Sequence, residues 1–158
     1  MSDHNRFRRA FLQAAGLFGA GMFASKAQAI HTDTHFDEVA KHRLVYQLNH
    51  ADNEYIGHIL FSCGEMLRKF GDDIELVVTT FGPGVNILGK KPARPIDKIH
   101  LDRARSLAAY GVAFHACGNT MKSLKWTKED IVDYASIVQV GAVDLMELQE
   151  KGFSYISW

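Results

Sequence analysis

Short apolar runs alternate with longer amphipathic segments from about residue 42 to the end of the chain. The short runs have the length of buried strands, whereas the longer segments repeat their apolar positions at helical spacing. The predicted strands are residues 43–48, 74–81, 112–117, 137–140 and 153–158. The predicted helices are residues 54–70, 98–110 and 143–151, with a short additional helix over residues 127–135.

This alternation predicts a single α/β domain over residues 42–158. Strands that alternate with helices form a parallel sheet with right-handed crossovers. We expect a three-layer sandwich, in which a mainly parallel sheet of about five strands has helices on both faces. The length of 158 residues is sufficient for one domain with its own core. The order of the strands in the sheet does not follow from the pattern.

The first predicted helix has the clearest periodicity. Its apolar residues fall on one stripe: Ile56, Ile59, Leu60, Cys63, Met66, Leu67 and Phe70. Asp52 or Asn53 is the predicted N-cap, and Gly71 is expected to end the helix. Because Cys63 lies in the middle of the stripe, we expect a buried thiol and not a reactive one.

The first 29 residues have the features of an export signal. Arg8 and Arg9 precede an x-Phe-Leu sequence, a mildly apolar Ala/Gly-rich run follows, and residues 27–29 form an A-x-A cleavage site. The segment resembles a twin-arginine (Tat) signal, which predicts cleavage after Ala29 and a periplasmic protein. The alternative is an uncleaved amphipathic helix. Residues 30–41 are polar, and we expect them to be a flexible start of the mature chain.

The charge of the chain argues against a nucleic-acid partner. The formal net charge is zero, and residues 1–29 hold four of the 18 basic residues but one of the 18 acidic ones. The mature chain would therefore be mildly acidic, which disfavours binding to phosphate backbones. The apolar run of the leader is too short to span a bilayer, so no membrane anchor is predicted.

Motifs for metals and cofactors are sparse. The two cysteines form no Cys-x-x-Cys pair, and Gly82-Pro83-Gly84 lacks the spacing of a phosphate-binding loop. His31 and His35 have a spacing that would let them share a metal ion on a helix, but no third ligand is identified. We therefore predict no metal and no cofactor. Serine catalysis has no support either, since no G-x-S-x-G is present and no carboxylate is visibly placed to orient a histidine.

Three predicted loops follow strands that end at one edge of the sheet, where ligands bind in parallel α/β proteins. They are residues 49–50, 82–84 and 117–120. His115 and Cys117 are two residues apart in an extended run, so their side chains point to the same side. The candidate ligand-binding residues of this crevice are Asn49, His50, His115, Gly118 and Asn119.

Cys117 is the candidate catalytic residue, because it ends an apolar run immediately before Gly118. Gly118 allows a sharp turn, and Asn119 or Thr120 is predicted to cap a helical turn that follows. Amide groups at a helix N-terminus stabilise a thiolate and lower the pKa of a cysteine below its free value of about 8.5. The alternative is a buried core cysteine. For His115, packing or a backbone hydrogen bond is favoured over direct chemistry.

Residues 43–158 resemble the DsrE/DsrF-like family of small sulfur-handling proteins. The resemblance rests on Y-Q-L-N, G-H-I-L-F-S-C-G-E-M-L-R-K-F-G, F-G-P-G, G-V-A-F-H-A-C-G-N-T-M and D-L-M-E-L-Q-E-K-G-F-S-Y-I-S-W. It implies a parallel α/β sandwich that assembles as a homotrimer or homohexamer. It also implies that Cys117, which matches the persulfide-carrying cysteine of several members, exchanges sulfur with a donor or acceptor protein.

Three functions remain as alternatives. The first is a periplasmic sulfane-sulfur carrier or sulfurtransferase-like subunit, in which Cys117 cycles between thiol and persulfide. The second is a non-catalytic module that binds a small ligand in the crevice, and the third is an assembling subunit. A disulfide between Cys63 and Cys117 is disfavoured, because a mid-helix and a strand-end residue need not bring their Cα atoms within about 7 Å.

Overall fold

Five strands form one sheet in the computed structural model, which describes residues 40–158. The strands are β1 (His42–Leu48), β2 (Ile74–Thr80), β3 (Ala113–Cys117), β4 (Ala135–Val138) and β5 (Ser154–Ile156). Their order across the sheet is β4-β3-β2-β1-β5, and each neighbouring pair is parallel. The predicted parallel sheet of five strands is confirmed. The predicted closing strand lies at one edge, beside β1.

The predicted export signal, residues 1–29, lies outside the described residues. The same holds for the predicted flexible segment as far as residue 39, which includes His31 and His35. Those assignments stay predictions.

Helices cover both faces of the sheet, so the predicted three-layer α/β sandwich is confirmed. The helices are α1 (Asn53–Phe70), α2 (Lys98–Ala109), α3 (Gly118–Ser123) and α4 (Gly141–Glu150). Segments of 3-10 helix are Gly71–Asp73, Gly82–Leu88 and Lys128–Asp130.

The alternation of side chains along the strands divides the core between the two faces. The larger cluster packs under α1 and α2 and includes Leu44, Tyr46, Leu48, Leu76, Val78, Phe114 and Ala116. The smaller cluster packs under α4 and consists of Val45, Val77, Leu145, Leu148 and Phe153. Because successive strand residues point to opposite faces, His115 and Cys117 lie on the α4 face.

The sequence of α1 forms the helix that its stripe predicts. The Asp52 carboxylate caps it by accepting a hydrogen bond from the Tyr55 N–H at 2.9 Å. Gly71, at a φ of 55°, ends it. Cys63 is fully buried at the centre of the stripe, as predicted.

The predicted helix over residues 127–135 is wrong beyond its first turn. Thr127 and Asp130 do form a capping box, but the 3-10 helix ends at Asp130. Ile131 then turns its side chain into the core and bridges to Gly89, and the Val132 N–H donates to the Leu88 carbonyl at 2.9 Å. Packing against the segment Gly82–Leu88 therefore overrides the local helical signal, and β4 begins earlier than predicted.

The glycine-rich turn after β2 brings the chain very close to the end of β1. A Cβ on Gly84 would lie 2.1 Å from the Leu48 carbonyl oxygen, so only glycine fits there. The approach is reinforced by the Phe81 N–H, which donates to the same carbonyl at 3.2 Å. The loops after β1 and β2 are thus held together at the carboxyl edge of the sheet.

Candidate functional site

Cys117 lies at the carboxyl end of β3, where the chain passes directly into α3. The N-terminus of α4 meets it from the other side, and Gly141, the first residue of α4, contacts the sulfur. The thiol is therefore placed between two helix N-termini. Cys117 is 4% exposed, so little of the residue is accessible to solvent in the single chain.

Polar groups of α3 and α4 surround the Cys117 sulfur and favour its ionised form. The backbone N–H of Gly141 donates to Sγ at 3.3 Å. The Thr120 hydroxyl and the backbone N–H groups of Thr120 and Asn119, at the start of α3, also act to lower the pKa of this thiol. The Thr120 oxygen accepts the Gly82 N–H at 3.0 Å, which leaves the hydroxyl proton free to point to the sulfur. This arrangement suits a sulfur that carries negative charge.

The pKa of Cys117 is set by two opposing influences. Burial is the largest single one and acts to raise the pKa of the thiol. The hydrogen bonds, with that from the Thr120 side chain first among them, together outweigh burial, so the pKa of Cys117 lies below its ordinary value. The N–H that donates to the sulfur belongs to α4, through Gly141, and not to the helix that directly follows Cys117, from which the sequence predicted it.

The prediction that Asn119 or Thr120 caps the helix after β3 is wrong. Helix α3 begins at Gly118, at least two residues earlier than such a cap allows, and Cys117 itself is the N-cap residue. The Thr120 side chain is used instead between Gly82 and the thiol. The Asn119 side chain is exposed, and its backbone N–H also lies 3.2 Å from the Gln139 carbonyl.

The two glycines beside the thiol allow close approach between elements. A Cβ on Gly118 would lie 3.1 Å from the Val138 carbonyl oxygen. A Cβ on Gly141 would lie 3.0 Å from Cβ of Phe81 and 3.3 Å from Cβ of Cys117. These distances are tighter than ordinary packing, so the absence of a side chain at Gly141 lets its N–H reach the sulfur.

The expectation that no carboxylate orients a histidine is wrong. Nδ1 of His115 lies 2.9 Å from Oδ2 and 3.0 Å from Oδ1 of Asp144, on α4. The Thr79 hydroxyl, on β2, donates to the same Oδ2 at 2.6 Å. His115 therefore points to the same face as Cys117, as predicted, but its partner is a buried carboxylate and not the backbone.

Asp144 and Gly141 are the site residues that the sequence did not reveal. Asp144 is 29 residues from His115 in the chain, and Gly141 is 24 residues from Cys117. A signal for Asp144 was present, since it is an acidic residue among the apolar residues of a short helix. The signal for Gly141 was its position between a strand and a helix.

Asn49 and His50 lie at the same edge of the sheet but are not in contact with the thiol. The Asn49 side chain accepts a hydrogen bond from the Tyr55 hydroxyl at 3.0 Å, and the His50 ring packs against the Tyr55 ring. A cavity of about 350 Å³ lies beside this loop. It is lined by His50, Ala51, Asp52, Pro83, Arg94 and Pro95. The predicted crevice is thus divided, with His50 and Pro83 at this cavity and Cys117 outside it.

Cys63 has the opposite character to Cys117. It is fully buried beneath α1, and burial raises its pKa to about 12. Both cysteines are free thiols. Cys63 is neutral at any physiological pH, so of the two thiols in the described residues Cys117 is the one whose pKa favours ionisation.

Within residues 40–158, no group of three or more histidine, cysteine or acidic side chains is arranged to hold a metal ion. The same part of the chain contains no helix that is both long enough and apolar enough to cross a membrane.

A parallel α/β sandwich with a thiolate-stabilising site at the end of a central strand defines a class of small cysteine proteins. Within that class, the chain belongs to the DsrE/DsrF-like family, whose family model matches residues 41–158. The family is linked to sulfur relay. The family resemblance of the sequence is therefore confirmed for this domain. No curated protein matches the chain in sequence.

Two solved structures share the fold. The protein of unknown function MTH1491 from Methanobacterium thermoautotrophicum superposes with a TM-score of 0.66 at 20% identity. The ychN protein from E. coli superposes with a TM-score of 0.55 at 14% identity. Each comparison covers 74% of this chain and 99% of the other. At these identities the likeness is one of fold alone.

Proposed function

We propose that the chain is a periplasmic sulfane-sulfur carrier or sulfurtransferase-like subunit that uses Cys117. The observation that carries the proposal is the Gly141 N–H, which donates to Sγ at 3.3 Å, together with the lowered pKa of the thiol, to which Thr120 and Asn119 also contribute. Family membership supports the same chemistry, because the family is linked to sulfur relay.

The proposed reaction is a displacement at sulfur. The Cys117 thiolate attacks the sulfane sulfur of a donor, and a new S–S bond forms as the bond between that sulfur and the rest of the donor breaks. The donor leaves with the electron pair of the broken bond, as a thiolate from a polysulfide or as sulfite from thiosulfate. Transfer onward is the same step, with an acceptor thiolate attacking the terminal sulfur of the Cys117 persulfide.

The environment of the sulfur also suits the product. A persulfide anion at Cys117 has the same charge as the thiolate, and the N–H of Gly141 and the hydroxyl of Thr120 are donors for it. The 4% exposure of Cys117 favours a small donor over the side chain of a bulky partner.

Intact-mass analysis tests the proposal. After incubation with polysulfide or thiosulfate, the wild type should gain the mass of one sulfur atom, and a reductant should remove it. Cys117→Ser should gain none, whereas Cys63→Ser, the matched control at the buried thiol, should still gain it. A wild type that stays unmodified with both donors contradicts the proposal.

A second candidate function is binding of a small anion without chemistry. The observation in its favour is the cavity of about 350 Å³ that Arg94 and His50 line, apart from Cys117. With thiosulfate as the probe, a rise in Tm that survives Cys117→Ser and is lost in Arg94→Ala would support it. A rise that requires Cys117 would favour the carrier.

The proposed location rests on residues 1–29 and the twin-arginine pair Arg8 and Arg9. Expression of the full chain in a bacterium with a Tat system should yield periplasmic protein that begins at Ile30. Arg8→Lys/Arg9→Lys should accumulate uncleaved in the cytoplasm. Wild type that stays uncleaved there contradicts the proposed export.

We also propose a homotrimer or homohexamer, as family membership implies. Apolar side chains on the outer face of α4 support it: Val143 is 42% exposed and Met146 is 51% exposed, and the two lie on one face of the helix. Sedimentation should give three or six subunits, and Met146→Glu should weaken the assembly more than Glu150→Gln. A monomer at all concentrations contradicts the proposal.

A further inference from the structure

Asp144 is a buried carboxylate for which the proposed sulfur chemistry has no use. It lies in the first turn of α4 and is 9% exposed. Its Oδ2 accepts the Thr79 hydroxyl at 2.6 Å, and both of its oxygens lie within 3.0 Å of Nδ1 of His115. One side chain of α4 is thus bonded to two strands of the sheet.

The two partners of Asp144 are neighbours in the sheet. Thr79 on β2 is directly opposite His115 on β3, and both side chains face α4. Neighbouring strands lie about 4.8 Å apart, so one carboxylate spans the pair. The Asp144 carboxylate that joins Thr79 to His115 lies close to Cys117, because Cys117 follows His115 by two residues and its side chain is on the same face of β3.

The same turn of α4 carries the N–H that bonds to the thiol. Gly141 precedes Asp144 by three residues, and the Asp144 N–H donates to the Val140 carbonyl at 3.0 Å to close the turn. A closed helical turn moves as a unit. A displacement of the Asp144 side chain from the sheet would therefore displace the Gly141 N–H from the sulfur.

We propose that Asp144 is a positioning residue for the reactive thiol. Through Thr79 and His115, it holds the first turn of α4 where the Gly141 N–H donates to Cys117 Sγ. The inference rests on the proposed function for its purpose, since holding the thiolate matters only if the sulfur reacts. The bonding itself is independent of any sulfur donor.

The contacts of His115 do not place it as a general base for the Cys117 thiol. Within residues 40–158, the Gly141 N–H donates to Cys117 Sγ, and Asn119 and Thr120 act to lower the pKa of this thiol, whereas His115 directs Nδ1 to Asp144. The titratable groups of the cluster are His115 and Cys117 on β3 and Asp144 on α4. Thr79 on β2, Thr120 on α3 and the Gly141 N–H are uncharged.

Charge and position act on the thiol in opposite directions. The negative charge of Asp144 by itself disfavours a nearby thiolate, so its loss alone would lower the pKa of Cys117. Loss of the anchor lets the Gly141 N–H move away, which would raise that pKa. The direction in which a substitution moves the pKa of Cys117 therefore shows which effect dominates. A lower pKa indicates the lost charge, and a higher pKa indicates the displaced N–H.

The experiment is the pH dependence of Cys117 alkylation by iodoacetamide in the full chain. Asp144→Ala should slow the reaction at neutral pH about tenfold, because the loss of the Gly141 hydrogen bond to the thiolate outweighs the removal of a nearby negative charge. Thr79→Val, which leaves every charge in place, should slow it about threefold. Glu147→Gln, which removes one exposed charge from the same helix, should leave the rate unchanged.

Amide hydrogen exchange supplies the second readout. The Gly141 N–H should lose protection in Asp144→Ala and Thr79→Val but not in Glu147→Gln. Faster alkylation in Asp144→Ala, or an unchanged rate and unchanged protection in Thr79→Val, overturns the proposal. Because Thr79→Val is nearly isosteric, it decides the matter even if Asp144→Ala does not fold. A chain that takes up no sulfur yet shows these changes contradicts the carrier function alone.

Discussion

The Gly82 N–H donates to the Thr120 hydroxyl oxygen at 3.0 Å, and this contact gives the hydroxyl its direction. An oxygen that accepts from one side has its own proton available on another, and the Thr120 side chain acts to lower the pKa of the Cys117 thiol. The glycine-rich turn after β2 thereby acts on a thiol at the end of β3. The contact explains how a loop without a phosphate-binding pattern contributes to the site.

Removal of the Thr120 hydroxyl should make the thiol less acidic. A hydrogen bond to a charged group contributes about 1.5–3 kcal/mol, and about 1.4 kcal/mol corresponds to one pKa unit. Thr120→Val should therefore raise the pKa of Cys117 and slow its alkylation at neutral pH about tenfold. Thr120→Ser keeps the hydroxyl and should react like the wild type. Equal rates for Val and Ser would show that the hydroxyl has no such role.

The contrast between Cys117 and Cys63 illustrates what local sequence determines. Apolar runs, helical spacing and the position of Cys63 in a stripe are local features, and they predicted the strands, α1 and the buried thiol. The influence of α3 on the pKa of Cys117 is also local, since Asn119 and Thr120 lie two and three residues after it. Gly141 and Asp144 reach the site only because β4 places α4 beside β3, and that order is set by tertiary packing.

Competition between local and tertiary preferences accounts for the wrong elements. Thr127 and Asp130 form the capping box that their spacing predicts, yet Ile131 leaves the helix because it gains burial in the core. Likewise, the β3–β4 pairing brings the Val138 carbonyl within 3.1 Å of a Cβ at position 118, which favours glycine at the start of α3. The sequence of a single apolar run does not indicate which other strands will pair with it across the sheet.

The two thiols should differ sharply in reactivity. Iodoacetamide should add once to the native chain, at Cys117, because the buried Cys63 has a pKa of about 12. Cys63 should react only after denaturation. Peptide mapping of the native and the denatured protein checks this, and an adduct on Cys63 in the native chain would contradict the assignment. Cys63→Ala should cost about 1 kcal/mol of stability without change at Cys117.

Gly84 should tolerate no side chain. A Cβ there would lie 2.1 Å from the Leu48 carbonyl oxygen, so Gly84→Ala should destabilise the domain by more than about 3 kcal/mol or prevent folding. Gly64, in the interior of α1, has no atom within 4 Å of such a Cβ. Gly64→Ala should therefore stabilise by about 0.5–1 kcal/mol. Urea unfolding of both variants measures the difference, and comparable stabilities would refute this account of the turn.

The lowered pKa of Cys117 should make stability depend on pH with a definite sign. A group whose pKa is lower in the folded than in the unfolded chain stabilises the fold when it is ionised. That contribution is fully present above the unfolded thiol pKa of about 8.5 and is lost as the pH falls through the folded pKa. Relative to Cys117→Ser, which does not ionise, the wild type should therefore gain stability as the pH rises from below the folded pKa of the thiol to its unfolded pKa of about 8.5.

Cys63 has the opposite linkage, since its raised pKa stabilises the fold below about 8.5 and loses that effect as the pH rises towards 12. Cys63 is present in both the wild type and Cys117→Ser, so its contribution cancels from the difference between their stabilities. Urea unfolding under reducing conditions across this range measures that difference directly. A difference that is flat, or that shrinks as the pH rises, would mean that the hydrogen bonds to Cys117 do not outweigh its burial.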